Sequence, residues 1–431
     1  MGKWRIGALA AIGWLGAWVA AHAQTVPFAG PGTPTADNIP VQMPLGMPAS
    51  FTAPPPPPPP PDPPPMGPGG YRGFDNAFDE PCPTVPPPFF HTEVGYLGVW
   101  TKHNSAPILV TQGSIFDPIP GALAQPGTTP IIGGTIDGDT YHSGARLSFA
   151  YDCCCDRSWT VDANVFALQD RTETQNASNG GGGFTVLARP FFSVPANSQS
   201  AVLIADSGLT SGGVAVQLKQ QVYGGDANVI WNFWPGEGGS WAASMLLGGR
   251  ALSVDEQMFV TDTVQGLPTS TLSGVSVFQN DNISCHNYFY GAQPGVVYSW
   301  YLGSFSLDLI GKVAFGYTDE WLSMNGVTQT TFRGRTTTAN GALLVLPSNA
   351  GTYHKDEFAV APELLINAKY AFNQYFRVGV GYDYLYLSRL LRPGDQVDEE
   401  VGGAAPVHPT ALLKQSDWWM EGFTASLEFS F

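Results

Sequence analysis

Eleven charged residues lie on the polar side of stretches in which apolar and polar residues alternate: Arg146, Asp162, Lys219, Arg250, Asp308, Lys312, Glu363, Lys369, Arg377, Asp383 and Glu428. Both signs are present. Bases and carboxylates facing one another across a narrow aqueous passage create a transverse field that orders water and sorts solutes by charge. The same side chains could instead pair across a closed interior and pass nothing. They are the candidate pore-lining residues, and the elements that hold them decide between the two outcomes.

Other chemistry finds less support. The histidines beyond the first segment are His91, His103, His142, His286, His354 and His408. None sits in a recognisable triad, and there is no G-x-S-x-G, so the reading is a non-enzyme with no catalytic residues. Cys82, Cys285 and the triplet Cys153-Cys154-Cys155 make an odd count with no C-x-x-C pair or histidine spacing to complete a metal site. Asp395, Asp398, Glu399 and Glu400 cluster oxygen atoms but lack a complete calcium-loop pattern. No cofactor and no metal are expected. The net charge of −16 argues against a nucleic-acid partner, because phosphate binding needs clustered Lys and Arg.

What positions the charges is legible from composition. The chain is 13% charged and 12% aromatic, with 51 glycines. That balance suits neither a typical cytosolic enzyme nor a disordered chain, and it implies that something other than water covers part of the surface. Lys3 and Arg5, the apolar run Ile6 to Ala20 and Ala21-His22-Ala23 read as a cleaved secretory signal peptide, residues 1–23. Residues 24–90 are dominated by proline, including PPPPPPPPDPPP from Pro54 to Pro65. They predict an extended polyproline arm, either a solvated tail or a spacer that reaches a cell-wall or periplasmic partner.

From residue 91 to 431 the period is two. GARLSFAY (Gly144 to Tyr151), WTVDANVF (Trp159 to Phe166), DANVIWNF (Asp226 to Phe233), SFSLDLIGKVAFGYT (Ser304 to Thr318) and FRVGVGYDYLY (Phe376 to Tyr386) are amphipathic strands. The later ones reach the 9 to 11 residues that a membrane-crossing strand needs. Connections alternate long and short. Short turns are expected near Cys153 to Asp156, Gly224-Gly225, Asp255, Tyr301-Leu302 and Phe372 to Gln374. Long outer loops are expected after the strand Val94 to Trp100 and at Gln169 to Gly212, Val264 to Ser284, Ser323 to Lys355 and Leu391 to Ser416, with Trp234 to Ser240 the one outer loop of moderate length. This pattern predicts an all-β, antiparallel up-and-down transmembrane barrel of about twelve strands, with ten to fourteen admissible and Val214 to Val222 and Gln257 to Thr263 the weakest strands. Trp100, Tyr151, Trp159, Trp231, Trp300, Tyr317, Tyr370, Trp418 and Trp419 fall near strand ends, as interface girdles require.

The chain ends EGFTASLEFSF, with Phe423, Ala425, Leu427, Phe429 and Phe431 on one face. This is similar to the C-terminal strand by which bacterial outer-membrane proteins are recognised. Phe423, Leu427, Phe429 and Phe431 are therefore the candidate assembly signal. The expected partners are outer-membrane lipid and the barrel-assembly machinery, and the expected location is the bacterial outer membrane.

ARPFF (Ala188 to Phe192), FYGAQPG (Phe289 to Gly295), LPSNAGTYHKDEFAVAPEL (Leu346 to Leu364), GVGYDYLYLS (Gly379 to Ser388) and RPGDQVD (Arg392 to Asp398) resemble the seventh β-barrel porin family, outer-membrane barrels of planctomycete-type bacteria. The resemblance runs from about Thr92 to Phe431. It implies a porin passing small solutes or ions, and carries over no catalytic or binding residues. The alternative reading is a non-conducting barrel that tethers the envelope through the proline-rich arm.

Overall fold

A computed structural model describes residues 89–138, 140–153, 158–235 and 239–431. The predicted signal peptide and nearly all of the proline-rich arm, with Cys82, Cys154 and Cys155, lie outside the described residues. The chain first runs through β1 (Phe90–Thr101), β2 (Ser105–Ser114), β3 (Thr129–Thr135), β4 (Tyr141–Asp152) and β5 (Trp159–Leu168). Then come β6 (Arg171–Asn179), β7 (Thr185–Ser193), β8 (Ser198–Ala205) and the long strands β9 (Thr210–Pro235), β10 (Trp241–Gly266), β11 (Val275–Leu302) and β12 (Phe305–Phe332). It closes with β13 (Arg335–Asn340), β14 (Gly351–Ala371), β15 (Phe376–Leu391), β16 (Glu400–Val401) and β17 (Gln415–Ser430).

Ten of these strands pair in the order β1–β4–β5–β9–β10–β11–β12–β14–β15–β17, every pair antiparallel, and β17 returns to β1 with Phe429 opposite Thr92. A closed ring leaves no unpaired edge in lipid, where an unmet backbone group costs several kcal/mol. The expected barrel is thus present with ten strands, the lower end of the range. The difference lies at two predicted turns that are mid-strand. Gly225 pairs with Ala251 and Val165, and Asp255 pairs with His286 and Gln221. Gly224 and Gly225 serve close packing, not reversal: a Cβ on Gly225 would come within 2.5 Å of the Asn164 carbonyl oxygen, and neither residue has a positive φ. Each weak strand is therefore the upper half of β9 or β10. The connection from Pro235 to Trp241, expected as an outer loop, lies at the end of the barrel that holds Phe90 and Phe431. Much of Val264 to Ser284 and Ser323 to Lys355 is strand as well.

β9 to β12 are 26 to 28 residues long, which at 3.4 Å per residue is roughly 90 Å, far beyond an apolar band of about 25 Å. They project past the band at the loop end. There β6 extends the wall along the upper part of β9, and β13 folds back on β12. A second sheet, β16–β7–β2–β3 with β8 beside β7, sits against this projection. Their shared core joins Val110, Leu187 and Ile204 from the second sheet to Val216, Met258, Ile283 and Leu322 from the wall.

The period of two sorts the barrel strands. Leu247 and Val380 are each 65% exposed and Phe423 60%, all on the outer face. Rings border this band. At the turn end Trp159 stacks on Trp231 at 5.8 Å and Trp241 on Tyr298 at 5.6 Å. Toward the loop end Trp100 meets Tyr141 at 5.4 Å and Tyr317 meets Phe358 at 6.0 Å. Trp418 departs from the expected girdle: it is even-numbered on β17, opposite in parity to Phe423, and is fully buried inside. Among the described residues no helix is long and apolar enough to cross a membrane, and the crossing is made by strands.

Leu247, between the two rows of rings, should tolerate charge poorly. Leu247→Arg is expected to cost about 2–4 kcal/mol in urea unfolding from lipid vesicles, whereas Gln257→Arg, farther along the same outer face, should cost little.

Candidate functional site

The inward face of β10 states how the lumen is filled. It reads Arg250, Leu252, Val254, Glu256, Met258, Val260, Asp262, and none of these is more than 6% exposed. Charge, apolar pair, charge, apolar pair, charge: each step becomes a layer across the ring.

The first layer is an ion lattice. Arg250 bonds Asp226 on β9 at 3.1 Å and Glu363 on β14. Lys312 on β12 reaches the same two carboxylates at 3.0 and 2.7 Å. From the opposite wall Arg146 on β4 spans to Asp383 on β15 at 2.9 Å, and Asp383 also accepts from Thr424. Arg250–Asp226 and Lys312–Glu363 join adjacent strands, whereas Arg250–Glu363, Lys312–Asp226 and Arg146–Asp383 join strands that are not neighbours in the ring, so these three bridge the lumen. Toward the turn end Lys369 lies 2.6 Å from Glu93 and 2.8 Å from Glu428, and Arg377 holds Glu428 at 2.6 Å. Between the lattice and the turn end a cavity of about 210 Å³ remains, walled in part by Asp162, Asp308 and Lys369.

Above the lattice the lumen is apolar. Leu97, Val99, Val222, Val254, Phe289, Leu385, Leu387, Leu390 and Trp418 pack together with at most 1% exposure each.

The third layer is Glu256, which is wholly buried. Arg392 grips it through two parallel bonds, Nε to Oε2 at 3.0 Å and Nη2 to Oε1 at 2.8 Å, and also donates to the carbonyls of Lys102 and His103. Asn104 and Gln220 donate to the same carboxylate. Such bidentate pairs fix orientation as well as charge. The fourth layer fastens the second sheet. Arg189 on β7 donates to Asp262 at 2.6 Å and Asp281 at 2.9 Å, and Asp281 also accepts the backbone N–H groups of Leu344 and Val345. All three side chains are at most 1% exposed.

Ten of the eleven predicted residues face the lumen. Lys219 does not: it lies on the outer wall, 5.1 Å from the Phe259 ring. The reason is the unbroken β9. Parity carries through Gly224-Gly225, which puts Lys219 on the face of Val229 and Trp231 and turns Asp226 inward. Asp226, Glu93, Glu256, Asp262 and Asp281 were missed, though parity counted from Arg250 along an uninterrupted β10 reaches both Glu256 and Asp262. The roles of Arg189 and Arg392 had no local signal, since each acts on a strand some 70 or more residues away in sequence.

The remaining candidates disperse. Asp395 faces Lys414 at 3.4 Å, apart from Asp398 and Glu400, which meet at His408 at 2.8 and 3.3 Å, so only part of the acidic run converges, and it does so on a histidine. His286 pairs with Asp255, and His354 with Asp319, on the outer wall. His91 stands between Ser430 at 2.8 Å and Asp152 at 3.5 Å, but Ser430 is 1% exposed and acts as a clasp between the first and last strands. The candidate assembly residues Phe423, Leu427, Phe429 and Phe431 all point outward.

The sequence profile of the family described as Putative beta barrel porin-7 matches residues 91–431. No curated protein matches the chain. Among solved structures, the outer-membrane protease OmpT from Escherichia coli is 9% identical, over 80% of this chain and 97% of that one, with a TM-score of 0.41. The toluene transporter TodX from P. putida is 12% identical, over 84% and 92%, with a TM-score of 0.20. A FadL homologue from Pseudomonas aeruginosa is 8% identical, over 82% and 93%, with a TM-score of 0.21.

Two predictions concern the fastenings at the loop end. Arg189→Met strands two buried carboxylates and is expected to cost about 3–5 kcal/mol in equilibrium unfolding, part of which Arg189→Met/Asp262→Asn/Asp281→Asn should recover. Burial alone would raise Asp398, but the N–H of Thr410, the His408 ring and the N–H of Glu400 outweigh it and hold the carboxyl below its usual range. A depressed carboxylate stabilises fully above its unfolded value of about 3.9 and loses that contribution as pH falls through the folded value. Hydrogen exchange of residues 398–410 should therefore be flat from pH 7 to 5 and quicken below about pH 4, after correction for intrinsic rates, with Asp398→Asn abolishing the dependence.

Proposed function

The chain belongs to the beta barrel porin-7 family and is an outer-membrane β-barrel, and from that premise we propose that its lumen is shut to solutes and that it serves as an anchor. The observation that carries this reading is the stack of filled layers: a cross-lumen ion lattice, an apolar storey with Leu97 and Val254 at 0% exposure, and a fastened second sheet above. Solutes would have to displace all of them. On this reading the barrel holds the second sheet outside, while the proline-rich arm reaches a cell-wall or periplasmic partner on the side of the termini. The outward aromatics of β17, ending at Phe431, would present the assembly machinery with its recognition strand.

The family's description favours a second reading, a porin that passes small solutes or ions through a mixed-charge lumen. It requires the apolar storey to move. A hydrolase reading has less support, since Ser430, which bonds His91, is buried.

Planar-bilayer recording of the refolded mature chain under a salt gradient separates the two. The expected result is a silent membrane from protein shown to have inserted. Reproducible steps with a reversal potential would overturn the closed reading and establish the porin.

A further inference from the structure

The cavity at the turn end has unbalanced walls. In the lattice and the clasp beneath it, five bases, Arg146, Arg250, Lys312, Lys369 and Arg377, are in ion pairs with five carboxylates, Glu93, Asp226, Glu363, Asp383 and Glu428. That set is neutral. Two further carboxylates on the same cavity have no basic partner among the described residues. Asp162 on β5 bonds Asn164 through Oδ2 at 3.0 Å, while its Oδ1 is buried with no hydrogen-bond partner. Asp308 on β12 accepts from Ser299 at 2.5 Å.

Carboxylates inside a low-dielectric wall without a basic partner are repelled by the lattice acids, and an orphaned carboxylate oxygen carries its full desolvation cost. Protein atoms do not fill the space between them. A volume of about 210 Å³ has room for several waters, and so for a hydrated metal ion or a short diamine. The cavity lies toward the turn end, where Lys369 and Arg377 bind Glu428 of the last strand.

We propose that this vestibule is a binding site for a small dication, held between Asp162 and Asp308 with Ser299 and Asn164 as polar neighbours. Two negative charges set the valence. The walls provide carboxylate, hydroxyl and amide oxygens, the donors that suit magnesium, calcium or a diammonium ion. The inference rests on the closed lumen in one respect: the lattice must stay in place as the floor of the site.

The test is thermal unfolding of the refolded mature chain in micelles, titrated with MgCl2, CaCl2 or putrescine at an ionic strength fixed with KCl. A saturable rise in Tm with at least one dication is expected. Asp162→Asn/Asp308→Asn should melt higher than the parent in dication-free buffer, because the repulsion is gone, and should lose the dication response. Asp162→Asn and Asp308→Asn alone should each weaken it, and Asp170→Asn, exposed between β5 and β6, should leave it unchanged. A response to metals alone identifies a metal site, a response to putrescine alone an amine site, and a response to both a site that reads charge. No saturable shift with any of the three, or an undiminished shift in the double variant, would overturn the proposal. Conductance steps together with an intact, Asp162-dependent response would overturn only the closed-lumen reading.

Discussion

In a ring of ten strands inward side chains lie close enough to meet across the interior, and the rest of this structure follows from that constraint. Nearly every inward side chain packs against another or finds a partner of opposite charge, because an isolated ion in such an interior is costly, and Asp162 and Asp308 are exceptions. The molecule uses both solutions in turn. Ions at the level of Arg250, hydrocarbon at Leu252 and Val254, ions again at Glu256, hydrocarbon at Met258 and Val260, and ions at Asp262 form a column along a single strand. Each level is completed by residues from other strands, so no level exists until the ring has closed.

Buried ion pairs are a poor source of stability compared with apolar residues of the same size, since desolvation cancels most of the attraction. What they add here is register. Asp226, Arg250, Lys312 and Glu363 come from four strands, and a slip of one residue in any of them would turn its charge toward lipid and leave its partners unpaired. Long strands paired over more than twenty positions, such as β10 with β11, are where such slips would otherwise be cheap.

The fastenings at the loop end follow the same logic across larger separations. Arg189, from a sheet outside the ring, reaches Asp262 and Asp281, and Arg392, just past the end of β15, reaches Glu256. The planar arginine fork gives Arg392 two parallel bonds to Glu256 and lets Arg189 donate one each to Asp262 and Asp281, which explains why arginine and not lysine fills both positions. ARPFF and RPGDQVD, read as family-like segments in the sequence, are the two pieces that carry these guanidinium groups. Their place in the fold is to fix the second sheet in the mouth of the barrel.

The period of two was enough to determine the class of fold, the lipid and lumen faces of most strands, the closing strand ending at Phe431 and ten of the eleven inward charges. Alternation is a local property: residue i and residue i+2 share a face whatever the rest of the chain does. It could not say whether Gly224-Gly225 reverses the chain or continues it. Glycine permits both, and the choice was made by the Asn164 carbonyl on a neighbouring strand. That ambiguity placed Lys219 inside and overlooked Asp226. Nor could the period say whether the inward charges line water or neutralise each other, because the distance from Arg146 to Asp383 or from Lys312 to Asp226 is set by the circumference of the closed ring. The sequence by itself determined which side chains turn inward. Tertiary structure decided which of them meet, and so left Asp162 and Asp308 without a base.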